Sequence, residues 1–234
     1  GKLTAHFAIS YSLILAGVLQ VAFMWFYVSK ARLTFSPSLN FCNDPDVTKL
    51  LKNMGPAAMS SGAQQVNLFV SQSIASFIPG AVSILSYAER LYQLPLAIIG
   101  VTFGTILLPE LSQIYQKKDI TSANNLQNNA IIISLVLSVP ATIGLFVLAN
   151  PIFHLIYERG VFVSEDTIKT ANALAAFSLG LPAKVIAKIL TPIFYAHGDT
   201  KTPMRITIYS LLVNTFLNIV LMIPFGHVGI AMGS

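Results

Sequence analysis

Charged residues are scarce in this sequence: Asp, Glu, Lys and Arg make up only 10% of its 234 residues, whereas soluble domains contain about 25%. A single cysteine, Cys42, excludes an intramolecular disulfide and argues against a metal cluster. Hydrophobic residues account for 54% of the chain, and apolar stretches recur along its whole length. The composition therefore indicates several membrane-spanning helices and leaves no room for a soluble domain.

Motifs for catalysis and for nucleic-acid binding are also missing. The net charge is +5, but the basic residues are spread singly between apolar stretches, so nucleic acid is not an expected partner. The sequence has no aspartate-rich magnesium motif, no Gly-rich phosphate loop and no cluster of histidines with acidic residues. We therefore expect a protein that is not an enzyme and that binds no metal or cofactor.

The apolar stretches predict an all-α, polytopic transmembrane helix bundle with six full spans and the start of a seventh. The chain has no initiator Met and ends as another apolar run begins, so we interpret it as an internal piece of a longer protein. The predicted spans are 6–28, 56–78, 82–114, 130–149, 170–196 and 204–223.

Prolines and polar stretches predict where these helices break. Pro95 should interrupt the third span, Pro109 should end it, and Asn150-Pro151 should end the regular part of the fourth. A basic stretch at 29–53 should contain a short amphipathic helix that starts near Asn43-Asp44-Pro45.

Basic residues are divided unevenly between alternate loops. One set of loops holds Lys30, Arg32, Lys49, Lys52, Lys117, Lys118, Lys201 and Arg205. The opposite loops hold only Arg159 and Lys169, with Lys2 at the outer end of the first span. Because cytoplasmic loops carry the excess of Lys and Arg, the first span should run from outside to inside. The third span should then return from outside, with Arg90 in its outer half or middle.

With the third span ending near Pro109 and Arg205 counted in a loop, three basic residues, Arg90, Lys184 and Lys188, fall inside predicted spans, where the only acid is Glu89. An arginine or lysine at membrane depth costs about 2.5–3.5 kcal/mol on insertion scales, so each should face water or a partner. The spacing places Lys184 and Lys188 on one helical face, as a buried pair. One interpretation is structural: pairing with a carboxylate elsewhere in the protein, or a lysine reaching to the interface. The other is a cationic cavity for an anionic substrate, where a guanidinium can grip phosphate bidentately.

Two further patterns predict contacts between the helices. The second span carries Gln64, Asn67 and Ser71 at helical spacing, and so broad a polar face needs water or protein against it. A hydrated cavity is the favoured interpretation, and hydrogen bonding to a neighbouring helix is the alternative. In the third span, Gly100 and Gly104 form a Gly-x-x-x-Gly pair, which predicts the close approach of another helix.

Several segments together resemble the signature of the MviN/MurJ lipid II flippases, a family of the multidrug/oligosaccharidyl-lipid/polysaccharide exporter superfamily. They are Tyr87-Ala88-Glu89-Arg90-Leu91 with Leu94-Pro95 and Gly100 to Pro109, Tyr157-Glu158-Arg159-Gly160 with Phe162, Gly180-Leu181-Pro182 with Lys188, and Phe194-Tyr195-Ala196 with Asp199 to Pro203. The resemblance implies a 14-helix, two-lobe transporter, of which this chain would supply the sixth helix to the start of the twelfth. Residues 1–53 would be the last N-lobe helix with its basic inner loop, and 54–234 the C-lobe helices.

The resemblance also implies a function. Two lobes would rock around a central cationic cavity and flip lipid II, an undecaprenyl-pyrophosphate-linked disaccharide-peptide, from the inner to the outer leaflet of the bacterial inner membrane. Arg90 matches the family's cavity arginine and would hold the pyrophosphate. Lys188 matches a recurrent basic position, Lys184 has no family counterpart, and Gln93 stands where a glutamate is frequent. The expected substrate-binding residues are Arg90, Lys188, Gln64, Asn67, Ser71, Glu89 and Gln93.

Some family members bind sodium through carboxylates between the seventh, eleventh and twelfth helices. The matching positions here are Ser71, Asn214 and Asn218, a candidate cation site without an acidic residue, which leaves the membrane potential as another driving force. Two other functions stay open: a flippase or exporter of another polyprenyl-linked saccharide, and a non-transporting membrane scaffold in which the cations are ion-pair partners. As a flippase, the protein should be a monomer whose partners are lipid II and membrane lipids.

Overall fold

All the regular secondary structure is helical in the computed structural model, which describes residues 2–30 and 45–234. The helices are α1 (Lys2–Lys30), α2 (Pro45–Ala75), α3 (Ala81–Pro95), a π-helical segment (Leu96–Val101), α4 (Thr102–Gln116), α5 (Ile120–Tyr157), α6 (Ser164–Leu179), α7 (Leu181–Ala196), α8 (Lys201–Phe225) and α9 (His227–Gly233). The predicted all-α class is confirmed. The chain divides into two compact units, Gly1–Lys49 and Leu50–Ser234, and the predicted basic stretch at 29–53 lies partly outside the described residues.

Three continuous helical stretches of the described chain are long and apolar enough to cross a membrane: Ala81–Gln116, Ile120–Tyr157 and Lys201–Phe225. The helices α6 and α7 meet at a bend of 48°. Together they make a fourth span if the bent pair is counted as one. The apolar part of α1, Ile14–Lys30, is shorter. A bundle of spanning helices is thus present, while the number of six spans and the start of a seventh stays a prediction.

Several predicted helix ends are wrong, because prolines interrupt the helices less than expected. The helix α4 continues through Pro109, and α5 continues through Pro151 as far as Tyr157. The predicted amphipathic helix and second span form the single helix α2, which passes through Pro56. A proline removes only one backbone hydrogen bond, and packing can compensate for the loss. Beyond Pro151, for example, the side chain of Phe153 is fully buried in the core.

The interruption at Pro95 is confirmed. The helix α3 ends at this residue, and a turn of π-helix, Leu96–Val101, leads into α4. Proline crowds the preceding turn, and π-helical turns are a common way for a helix to absorb such an irregularity. As a result, Glu89 and Arg90 lie before the irregular turn, whereas Gly104 lies after it.

Contacts at the helix ends define the directions of the central helices. The Tyr115 hydroxyl at the end of α4 accepts a hydrogen bond from Gln127 near the start of α5. At the opposite end, the rings of Tyr87 and Tyr157 are 5.1 Å apart, so α5 runs antiparallel to α3 and α4. The rings of Tyr115 and His197 are 3.9 Å apart at the ends of α4 and α7. At the other end of α7, Lys184 lies over a ring of α3. The helix α7 therefore runs parallel to α3 and α4, as expected if consecutive spans cross a membrane in alternate directions.

Glu158 fixes the loop that joins α5 to α6. Its carboxylate accepts hydrogen bonds from the hydroxyls of Ser164 (2.6 Å) and Thr167 (2.7 Å), and it pairs with Nδ1 of His154 at 2.8 Å. Hydrogen bonds from Ser164, His154 and Thr167 favour the ionised carboxylate and lower the pKa of Glu158 to about 2. Glu158 belongs to the Tyr157-Glu158-Arg159-Gly160 segment, one of the segments on which the family resemblance depends.

Replacing Glu158 by glutamine should lower the thermal unfolding midpoint of the full-length protein in detergent. The folded-state pKa lies below the usual value of 4.5, so the carboxylate stabilises the loop fully above about pH 4.5 and loses this effect as the pH falls towards 2. We therefore expect the wild type and the variant to differ most near neutral pH and to converge in acid. The exposed Glu110 provides the control, Glu110→Gln; equal midpoints for wild type and Glu158→Gln near neutral pH would contradict the prediction.

Candidate functional site

Glu89, Arg90 and Gln93 project from the side of α3 that the core leaves open. Their neighbours Ala88 and Tyr92 are buried, 0% and 2% exposed, and this packing fixes the orientation of the polar side chains. Nε2 of Gln93 donates a hydrogen bond to Oε1 of Glu89 at 3.2 Å. Arg90 is exposed, and its guanidinium has no hydrogen bond or ion pair to any other described residue.

Lys188 lies where α7 crosses the third span. A Cβ on Gly100 would be 3.2 Å from Cβ of Lys188, and one on Gly104 would be 3.3 Å from the Lys188 carbonyl oxygen. The two glycines therefore admit α7, which confirms the close helix contact predicted from the Gly-x-x-x-Gly pair. The prediction that Lys188 is buried is wrong: the residue is exposed, because Val185 and Ile189 take the core-facing positions of α7.

Lys184 occupies the more enclosed position on α7. Its Nζ lies 5.3 Å from the centre of the Tyr92 ring and 6.0 Å from that of Phe177, which is the range of a cation–π interaction. Among the residues that the structure describes, no carboxylate lies within 4 Å of Nζ and no hydrogen bond reaches it. Lys184 was not among the predicted site residues because it matches no family motif. The free-energy cost of a lysine inside a span is the sequence signal that marks it as a candidate functional residue.

A cavity of about 90 Å³ brings these elements together. Its lining includes Lys184 and Tyr92, and three residues predicted for substrate binding, Asn67, Ser71 and Glu89. The remaining predicted residues lie outside this lining and are exposed: Gln64, Arg90, Gln93 and Lys188. The predicted set therefore falls into a cavity group and an exposed group rather than a single pocket.

The polar face of α2 meets both a cavity and a neighbouring helix. Ser60 shares a hydrogen bond with the Thr207 hydroxyl of α8 at 3.1 Å, and Ser71 accepts one from Asn218 of α8 at 3.0 Å. Asn67 lines the cavity instead, and its Oδ1 is buried without a hydrogen-bond partner among the described residues. Each of the two interpretations of this face thus accounts for some of its residues.

The three residues of the candidate cation site lie together. Nδ2 of Asn218 donates hydrogen bonds to Oγ of Ser71 and Oδ1 of Asn214, both at 3.0 Å. Nδ2 of Asn214 donates to the backbone oxygen of Ser234 at 3.2 Å. Asn218 is fully buried, and its Oδ1 has no partner within residues 2–30 and 45–234. The cluster joins α2, α8 and the residue after α9, and its binding of a cation stays a prediction.

Sequence comparisons give relatives for the whole chain. The family described as "Lipid II flippase MurJ" matches residues 1–234. A probable lipid II flippase MurJ of Rickettsia prowazekii (strain Madrid E) is 61% identical over 227 residues, which are 97% of this chain and 45% of that protein. A second, of Rhizobium tropici, is 42% identical over 231 residues, 98% of this chain and 43% of that protein. The chain thus spans less than half the length of these relatives.

Comparisons with solved structures agree with this relationship. A lipid II flippase MurJ in an inward closed conformation matches with a TM-score of 0.70 and 31% identity, over 90% of this chain and 44% of that chain. A mutant MATE protein matches with a TM-score of 0.76 over 95% of this chain and 50% of that chain. Its identity is only 17%, so this likeness shows the fold alone. With a match over every residue and apolar spanning helices, the chain is part of a multi-pass membrane protein and belongs to the lipid II flippase MurJ family.

Proposed function

We propose that the protein containing this chain flips lipid II from the inner to the outer leaflet of the bacterial inner membrane, without catalysing a reaction. The observation that carries the proposal is Arg90, a guanidinium on a spanning helix with no hydrogen bond or ion pair among the described residues. An unneutralised arginine at membrane depth is retained where it serves a function. A diphosphate group suits it, because a guanidinium binds phosphate oxygens in bidentate geometry.

The charge balance of the spans supports an anionic substrate. The helices α3 and α7 together carry three basic residues, Arg90, Lys184 and Lys188, and one acid, Glu89, which leaves two positive charges. A diphosphate esterified at both ends carries two negative charges. A cationic drug would instead require surplus acids, so an exporter of cations fits this half of the transporter poorly.

Alternating access is part of the proposal. Residues 1–53 would end the N-lobe and 54–234 would form the C-lobe, and the division of the contacts after Lys49 supports a boundary near this point. The open face of α3 would border the central cavity of the whole transporter, with Arg90 binding the diphosphate and Gln64, Gln93 and Lys188 along the substrate's path. Asn67, Ser71 and Glu89 would contribute from the smaller cavity.

The driving force is a separate component of the proposal. Ser71, Asn214 and Asn218 remain the candidate cation site, but their side chains are neutral and hydrogen-bonded to one another or to backbone, and only Oδ1 of Asn218 is left without a partner among the described residues. Hard cations such as sodium prefer several oxygen ligands, among which carboxylates contribute most of the attraction. We therefore propose that the membrane potential drives transport and that this cluster mainly joins α2 to α8.

Expression of the full-length protein should restore lipid II at the outer surface of bacterial cells depleted of their own flippase. The measurement is cleavage of labelled lipid II by an enzyme added outside intact cells, with an empty vector as the control. Cells in which the protein reaches the membrane and lipid II stays inaccessible would contradict the proposal. In proteoliposomes, transport of another polyprenyl-linked saccharide in preference to lipid II would favour the alternative substrate class.

A further inference from the structure

The cavity beside α3 contains polar groups that the protein leaves unsatisfied. The Lys184 ammonium can donate three hydrogen bonds, and within the described chain it makes only ring contacts. The hydroxyl of Tyr92 and Oδ1 of Asn67 are buried in the same wall without hydrogen-bond partners among these residues. A buried polar group without a partner is destabilising, and more so if it is charged. The Lys184 ammonium and the Tyr92 hydroxyl are donors, so together they suit an anionic ligand, whereas Oδ1 of Asn67 is an acceptor and can pair only with a donor.

A purely structural role explains the position of Lys184 poorly. Ring contacts of this kind contribute less than a lysine costs inside a span. Glu89 lines the same cavity, but it lies more than 4 Å from Nζ and is hydrogen-bonded to Gln93. The carboxylate therefore offsets part of the charge over a distance and leaves the donors of Nζ available.

The position of the cavity relates it to Arg90. Glu89 and Arg90 are consecutive on α3, so their side chains leave the helix about 100° apart. Glu89 points into the cavity and Arg90 to the open face beside it. A ligand with two linked anionic groups could place one at the guanidinium and extend the other towards the mouth of the cavity. Ser86 also lines the cavity and lies one helical turn before Arg90, which places the guanidinium beside the cavity.

We propose that Lys184 is a second binding residue for the diphosphate of the transported lipid, held in position by the Tyr92 ring and assisted by the Tyr92 hydroxyl. The inference rests on the proposed flippase function and adds a residue that no sequence motif marks. The ammonium rests on the rings when the substrate is absent and donates to a phosphate oxygen when it is present. Arg90 supplies the bidentate contact, and Lys184 supplies a point charge on the second phosphate.

Binding to purified full-length protein in detergent tests the proposal, with undecaprenyl diphosphate and the uncharged undecaprenol as probes. Wild-type protein should prefer the diphosphate. Lys184→Met keeps the unbranched stem and removes the charge, so the Kd for the diphosphate should rise about tenfold or more while binding of undecaprenol is unchanged. Lys184→Arg should retain most of the affinity, and Lys117→Met, at an exposed inner loop, should bind as wild type does.

Tyr92→Phe provides a second, milder variant. It keeps the ring under Nζ and removes only the hydroxyl, and we expect a rise in Kd of about threefold to tenfold. Unchanged diphosphate affinity in Lys184→Met, or in Tyr92→Phe should the methionine variant not fold, overturns the role of this cavity and leaves the flippase proposal intact. A wild-type protein that binds diphosphate and undecaprenol equally well would instead overturn the flippase proposal itself.

Discussion

Replacing Arg90 by alanine in the full-length protein should abolish lipid II export and leave the amount of folded protein in the membrane unchanged. The side chain is exposed and has no hydrogen bond or ion pair among the described residues, so its loss removes no intramolecular contact that the structure describes. It would remove the bidentate contact with the diphosphate that we propose for this residue. Loss of one such charged contact is worth about 2–5 kcal/mol or more, which is enough to reduce transport to background.

Two further variants make this result specific. Arg90→Lys keeps a positive charge but not the planar fork, and it should restore export only in part. Arg159→Ala removes an arginine of the loop between α5 and α6, and export should continue. Among the residues that the structure describes, this guanidinium donates only to the backbone oxygen of Ile156. The measurements are outer-surface lipid II in depleted cells and the yield of folded protein from the same membranes.

The scaffold hypothesis predicts the opposite result. If Arg90 were a structural ion-pair partner, its replacement would lower the yield of folded protein, and exchanging the arginine with its acidic partner would restore it. Export that is unchanged in Arg90→Ala would remove the residue from the transport path. In each case the two readouts separate a loss of function from a loss of folding.

The sequence predicted the helical class and the helix contact at Gly100 and Gly104 because both follow from local patterns. Long apolar runs have few alternatives to helix in a membrane, and a pair of glycines four residues apart leaves a groove that a neighbour can fill. The neighbour itself could not be predicted, since the partner Lys188 is more than eighty residues away in the sequence. Contacts that form only in the folded protein determine which helix fills the groove.

Helix ends and side-chain burial were harder to predict for the same physical reason. Pro151 would end an isolated helix, but the burial of Phe153 holds the following turn in α5. Likewise, the four-residue spacing of Lys184 and Lys188 places them on one face, yet the structure encloses only the first, because the rings of Tyr92 and Phe177 lie beside it. Which of two similar lysines meets a cavity depends on residues of other helices.

The candidate site contains residues that sequence motifs identify and one lysine that they do not. The pattern around Arg90 identified the family, and the grouping of Ser71, Asn214 and Asn218 expected from it is present as a hydrogen-bonded cluster. Lys184 lies outside every motif and could be recognised only from its free donors and its cavity. A candidate residue that matches no family motif is therefore found from its packing and its unsatisfied polar groups rather than from similarity to a family.

Replacing Gly104 by leucine should lower the thermal unfolding midpoint of the full-length protein and also abolish export. A Cβ at this position would lie 3.3 Å from the Lys188 carbonyl oxygen and 3.6 Å from Cγ of Pro192, so a larger side chain must push α7 away from α4. Overpacking of this kind costs about 1–3 kcal/mol. Gly104→Ala, which requires a shift of only a few tenths of an ångström, should have a smaller effect.

Gly144→Leu is the matched control, because a Cβ at Gly144 in α5 would have no heavy atom outside its own helix turn and chain neighbours within 4 Å. Both leucine variants add the same side chain to a spanning helix, so only the contact with α7 distinguishes them. Equal midpoints would mean that the approach of α7 does not depend on Gly104. Because α7 carries both Lys184 and Lys188, its displacement should move the two ammonium groups relative to Arg90. Export should therefore fall further than stability alone explains, even at temperatures where the Gly104→Leu protein remains folded.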